Sequence, residues 1–154
     1  MNKQKELRVR PIRNGTVIDH IKAGQAMNVL KILGITGSSN AVVSAVMNVP
    51  SNTFGSKDIV KIETRELEAK EVDKISLISP SASINIIKDY EVVRKYKVEL
   101  PDTIEGIVKC TNPNCISNTD EPVTSKFIVR NNPIQLRCIY CEHVISEHIA
   151  NYLL

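Results

Sequence analysis

VKCTNPNCISN, residues 108–118, holds Cys110 and Cys115 with four residues between them. The other two cysteines are Cys138 and Cys141, in RCIYCE (137–142), with two residues between them. Two close pairs, separated by a strand-like stretch of 22 residues, have the spacing of a tetrahedral four-thiolate metal site. A short turn aims both sulfurs of a pair at one point. Four thiolates close the coordination shell and leave no position for water, so such a metal is structural. Softness and tetrahedral geometry favour zinc, while an iron centre would use the same ligands. Two disulfides would need an oxidising compartment, and a Cys-x2-Cys redox pair would need a thioredoxin-like context. Neither setting is visible. His143 and His148 lie near the last pair, but four sulfurs already complete the set, so both read as surface or partly buried side chains.

The cysteines divide the chain. All four follow residue 109, and Leu100-Pro101-Asp102 stands just before them as a joint, since proline interrupts regular structure. This gives expected domains of 1–100 and 101–154. The second, of roughly 50 residues, buries too little apolar surface to be stable without a staple. Its strand candidates are short: GIVKC (106–110), SKFIVR (125–130), IQLRC (134–138) and VISEHIANYLL (144–154), the last a strand or a short helix. A small all-β, zinc-ribbon-like domain is expected.

The first part reads as β-α-β-β-α-β-β. LRVRPIRNGTVIDHI (7–21) alternates around Asn14-Gly15, a dipeptide suited to a type I′ hairpin turn. AGQAMNVLKILG (23–34) puts Ala23, Ala26, Met27, Leu30 and Leu33 on one helical face, with Gly34 as a stop. NAVVSAVMNVP (40–50) and DIVKIET (58–64) are strands flanking a loop. ELEAKEVDKISLI (66–78) is a second helix with Leu67, Val72, Ile75 and Ile78 on one side. ASINIIK (82–88) and YEVVRKYKV (90–98) are strands joined by a turn at Asp89. The fold class is α+β: a ferredoxin-like antiparallel sheet with two helices on one face.

Charge is unevenly spread. Residues 1–100 hold 16 basic and 11 acidic side chains, a net of +5, and residues 101–154 hold 4 and 6, a net of −2. A small anionic ligand suits the first part, whereas a nucleic-acid footprint needs denser positive charge. MNKQKELRVR (1–10) is polar and basic with no apolar run after it, which argues for a cytoplasmic chain with no membrane association. There is no Walker A, Gly-x-Gly-x-x-Gly, His-Glu-x-x-His or Gly-x-Ser-x-Gly sequence, so nothing supports catalysis. Asp19-His20 at a strand end, and Lys57, Lys61 and Lys95 along strands, could converge on a phosphate and sugar hydroxyls. Lysines at strand edges also serve simply to block aggregation.

RNGTVIDHI (13–21), NVPSNTFGSKDIVKIE (48–63), KDYEVVRK (88–95) and the pattern VKCTNPNCISN…EPVTSKFIV…LRCIYCE together resemble the regulatory chain of aspartate carbamoyltransferase over nearly the whole length. The resemblance implies a non-catalytic subunit acting in pyrimidine biosynthesis. Its N-terminal allosteric domain binds nucleotide effectors, with CTP as inhibitor and ATP as activator. Its zinc domain docks onto the catalytic chain. Regulatory chains pair through their allosteric domains into homodimers, which bridge catalytic trimers in a dodecamer of six and six.

By position, the resemblance makes Asp19 the partner of the ribose hydroxyls and Lys61 a contact of ribose and base. Lys95 and His20 become contacts of the triphosphate. Val9, Ile12, Asn85, Tyr90 and Val92 line the base and sugar pocket, with Lys57 at its rim. Pro11 offers no N–H to an effector, and Arg94 beside Lys95 adds positive charge near the phosphates. A nucleotide that binds two quaternary states unequally shifts their balance by that difference alone, typically about 1–3 kcal/mol. The rival is a free-standing zinc ribbon that binds nucleic acid. The acidic second part, with Phe127, Tyr140 and Tyr152 as its aromatics, argues against it.

Overall fold

The computed structural model describes residues 11–35, 40–51 and 55–154. Its contacts gather into two compact units, Met1–Val98 and Glu99–Leu154. The first contains β1 (Gly15–Lys22), α1 (Ala26–Ile32), β2 (Val43–Pro50), β3 (Ser56–Glu63), α2 (Ala69–Ile78), β4 (Ser83–Lys88) and β5 (Glu91–Lys97). The strands form one sheet in the order β2-β3-β1-β4-β5, with every neighbouring pair antiparallel. This is the split β-α-β arrangement of a ferredoxin-like sandwich, with β5 added at one edge.

Alternation along the strands decides which face the helices cover. Ile18 of β1, Val60 and Ile62 of β3, and Ile84 and Ile86 of β4 share one core with Ala26, Val29 and Leu33 around α1 and Ile75 of α2. Both helices therefore lie on this one face. The covered face of α1 is Ala26, Val29 and Leu33, and Met27 is 60% exposed. The apolar stripe expected through Met27 is thus rotated, because the helix is only seven residues long and Ala26 opens it. Gly34, with φ 70°, terminates α1 as expected.

Asn14-Gly15 is not a type I′ turn. Gly15 is the first residue of β1, paired with both Glu63 and Ile87, and its φ of 145° is far from turn values. The upstream arm of the expected hairpin, residues 7–10, lies outside the described residues. The left-handed pair that a type I′ turn needs is Asp89-Tyr90, with φ 49° and 67°, joining β4 to β5. Pro50 ends β2, which is tolerated because β2 is an edge strand.

The second unit has β6 (Thr103–Glu105), β7 (Lys126–Arg130), β8 (Gln135–Cys138) and β9 (Val144–Ile145), antiparallel in that order, with short 3-10 turns at Ile116–Asn118 and Ile149–Tyr152. Its first strand precedes the expected GIVKC segment, since Ile104 pairs with Phe127 while Val108 bridges only to Leu153. The core is small: Phe127, Leu136 and Val108 are fully buried, with Ile104, Ile107 and Ile145 around them. No helix among the described residues is long and apolar enough to cross a membrane.

Candidate functional site

Two constellations stand out, one in each unit. In the second, the four cysteine sulfurs all lie within 4.8 Å of one another. Cys110 and Cys141 are 3.6 Å apart, as are Cys115 and Cys138. A tetrahedral ion with metal–sulfur bonds of ~2.3 Å has sulfur–sulfur edges of ~3.8 Å, whereas a disulfide needs ~2.05 Å. The cluster therefore has the dimensions of a metal cradle, and all four thiols are free.

Local hydrogen bonds shape the cradle. The Cys115 N–H donates to the Asn112 carbonyl and the Asn114 N–H to the Asn112 side chain, which folds Thr-Asn-Pro-Asn into a turn. The Asn118 side-chain amide donates to the carbonyls of Cys110 and Asn112, tying the turn shut. On the other side Cys138 ends β8, and the Glu142 N–H returns to the Cys138 carbonyl. Burial pushes the Cys110 thiol up to about 12 and also raises Cys138. At Cys141 desolvation pushes the thiol up, but hydrogen bonds from the His143 backbone and the side chains of Asn112, Cys110 and Cys138 together pull it down to about 7. A divalent cation supplies the charge that lets such buried thiols ionise together. His143 and His148 are both exposed and lie outside the cluster.

The second constellation lies on the outer face of the five-stranded sheet, turned away from the helices. Strand register sets Ser44, Lys61, Val17, Asn85 and Lys95 in one row across all five strands. Beside it, Asp19 pairs with Ser83, and Ser83 with Lys97. The ladder shifts between Ile18 and Ile21, where His20 has φ 56°. Ile18 and Ile21 both point into the helix-side core, so this bulge turns Asp19 and His20 outward together. The Lys57 ammonium is 2.9 Å from the Asp19 carboxylate, and His20 Nδ1 is 3.1 Å from Ser83 Oγ. Burial lowers the Lys61 amine below the ordinary lysine value.

Of the residues expected at a nucleotide site, Asp19, His20, Lys57, Lys61, Asn85 and Lys95 thus share one face. Val92 joins it through its pairing with Ile87. Tyr90 stands at the β4–β5 tip, 64% exposed, and its N–H donates to the Arg13 carbonyl. Ile12 is buried, and Val9 and Arg10 lie outside the described residues. Arg94 does not add charge beside Lys95: it pairs with Ile86 on the helix side and rests over the Tyr96 ring at 4.9 Å. Ser83 and Lys97, not singled out from the sequence, belong to the outer face; counting two residues from Asn85 and Lys95 would have found them. Amines, an imidazole, an amide and one carboxylate together suit an anion that also carries hydroxyl groups. A cleft of about 350 Å³ near Asn14, Arg65 and Lys88 holds none of these side chains.

Residues 7–99 match the family model for the aspartate carbamoyltransferase regulatory chain, allosteric domain, and residues 102–151 match that for its metal-binding domain. The chain is 61% identical over 152 residues to the aspartate carbamoyltransferase regulatory chain of Methanothrix thermoacetophila, covering 98% of this chain and 99% of the relative. The regulatory chain of Methanocella arvoryzae is 60% identical over an alignment of 156 positions, covering all of both chains. That of Thermofilum pendens is 57% identical over 143 residues, covering 92% and 90%. A metal-binding domain and four gathered sulfurs fit one structural zinc ion. The chain belongs to the family of aspartate carbamoyltransferase regulatory chains.

Proposed function

We propose that residues 1–100 form a nucleotide-binding allosteric domain, and that residues 101–154 form a zinc domain that contacts the catalytic chain of aspartate carbamoyltransferase. The single observation that carries the nucleotide reading is the outer-face register, which lines Lys61, Asn85 and Lys95 in one row, with Val17 of β1 between the first two, beside the Asp19–Lys57 pair. Asp19 takes the ribose hydroxyls, Lys61 the ribose and base, and Lys95 with His20 the triphosphate. Ile12, Asn85, Tyr90 and Val92, with Val9, surround the base and sugar. CTP and ATP are the effectors this chemistry fits.

Cys110, Cys115, Cys138 and Cys141 hold zinc in this reading. Ile116, Ile139, Tyr140 and Val144 are exposed on or beside the cysteine turns. The metal fixes those turns, so it shapes an apolar surface for the catalytic chain. The β2 edge gives the homodimer. Its strand, VSAVMNVP, carries no charge, while β5 at the other edge carries Glu91, Arg94, Lys95 and Lys97. Charged edges resist pairing and uncharged ones accept it, so a second copy adds to β2 across a two-fold axis. Six such chains joined to six catalytic chains make a cytoplasmic regulator of pyrimidine biosynthesis.

Isothermal calorimetry on the full chain tests the site. CTP and ATP are expected to bind competitively, and Lys95→Ala to weaken both by about 10- to 100-fold, the loss of one charge-assisted hydrogen bond. Absence of binding, or an affinity in Lys95→Ala and Asp19→Ala unchanged from the unaltered chain, would overturn the reading.

A further inference from the structure

We infer that Lys57 and Asp58, adjacent on β3, are a two-sided clamp through which a nucleotide on the outer face reaches the β2 edge, with Asp58 as the positioning residue. This rests on the nucleotide site and edge pairing proposed above. Asp58 is fully buried, yet among the described residues no cation pairs with it; its partners there are backbone N–H groups. One carboxylate oxygen accepts from Gly24 and Ala26, both at 3.0 Å, and so holds the turn between β1 and α1. The other accepts from Asn48, also at 3.0 Å. Asn48 sits at a bulge in β2, where the register with β3 shifts between Val46 and Val49 and φ is 59°.

The preceding residue anchors the other bulge. Lys57 grips Asp19, at the point where β1 breaks register and turns His20 outward. Two consecutive residues of one strand thus each hold a bulge on a different neighbouring strand. A phosphate or ribose that competes for Lys57 or Asp19 changes the pull on one side of this dipeptide. Asp58 carries the change to Asn48, because a buried carboxylate cannot give up an N–H donor without replacing it. The β2 edge, which presents the pairing surface, then shifts at its bulge.

The test uses the full-length, zinc-loaded chain with CTP as probe, and sedimentation equilibrium as readout. Saturating CTP is expected to change the self-association constant of the unaltered chain by about fivefold or more, the usual lower range of allosteric coupling. Asp58→Asn keeps the shape but replaces one acceptor with a donor, so it cannot hold both the turn and the β2 bulge. It is expected to weaken self-association and to bring the ratio with and without CTP close to one. Lys57→Met leaves the Asp58 bonds in place and, at CTP concentrations that calorimetry shows to saturate the variant, is expected to retain self-association while losing the CTP response; it also decides the matter if Asp58→Asn does not fold. A merely structural role would weaken self-association equally with and without CTP. An unchanged CTP ratio in a folded variant therefore overturns the clamp and leaves the nucleotide site standing. Failure of the unaltered chain to bind CTP overturns the site reading, failure to self-associate overturns the edge pairing, and either overturns the clamp.

Discussion

Gly15 opens β1 so close to β3 that a Cβ there would lie 2.1 Å from the Ile62 carbonyl oxygen. With φ at 145° as well, Gly15→Ala is expected to destabilise the chain by about 3 kcal/mol, checked by urea unfolding. A glycine before a strand suits a turn, and only the packing of β1 against β3 reveals that contact fixes the residue here. Lys61 gives a pH dependence. Burial lowers its pKa, so on raising the pH it loses its charge before an ordinary lysine at 10.5. CTP affinity is therefore expected to fall with rising pH below that value, and Lys61→Arg to remove this early loss, read by calorimetry across pH. The same shift means the unfolded chain binds the proton more tightly, so the charged Lys61 lowers stability in full below its lowered pKa, and this cost fades as pH rises from there to 10.5. Asp19 and His20 both face outward because of a bulge, and strict alternation along GTVIDHIK would send them to opposite faces. Sequence alone therefore names the two residues without explaining how they meet. Arg94 shows the converse: strict alternation beside Lys95 already points it to the helix side.

At the scale of elements, strands with strong alternation were the most legible. DIVKIET and ASINIIK lie close to β3 and β4, because buried Val60, Ile62, Ile84 and Ile86 recur every second residue. The α1 face was less legible, since seven residues give too few turns for Met27 and Val29 to be told apart. β6 was missed because three residues carry no period; its place is set by Ile104 pairing with Phe127 across the small core. The gathering of four cysteines was legible from spacing alone, as short turns around a metal leave little freedom. Among the described residues Phe127 is the largest fully buried side chain, so Phe127→Ala is expected to cost about 3–5 kcal/mol and to loosen the second unit. Near-ultraviolet and proteolysis measurements would read that loss. Charges at the exposed β2 edge are expected to act on assembly instead. Val42→Lys with Met47→Lys should yield monomers with little change in melting temperature, seen by sedimentation.

Across the whole chain, the proposed sensing falls to the part with net positive charge and the proposed attachment to the acidic, metal-binding part. A unit whose core is this small depends on its ion, so chelation is expected to unfold residues 99–154 and leave the sheet folded. Circular dichroism with calorimetry would then find nucleotide binding retained and catalytic-chain binding lost. The fold was legible because apolar periodicity repeats over many residues, whereas an effector site built across several strands leaves no such period. The most direct measurement mixes the zinc-loaded chain with the catalytic chain of aspartate carbamoyltransferase and follows carbamoyl transfer against aspartate concentration, with and without CTP and ATP. A stable complex whose aspartate response shifts with nucleotide is expected. A complex that forms but responds to neither nucleotide, or a failure to form one with zinc in place, would contradict the regulatory role.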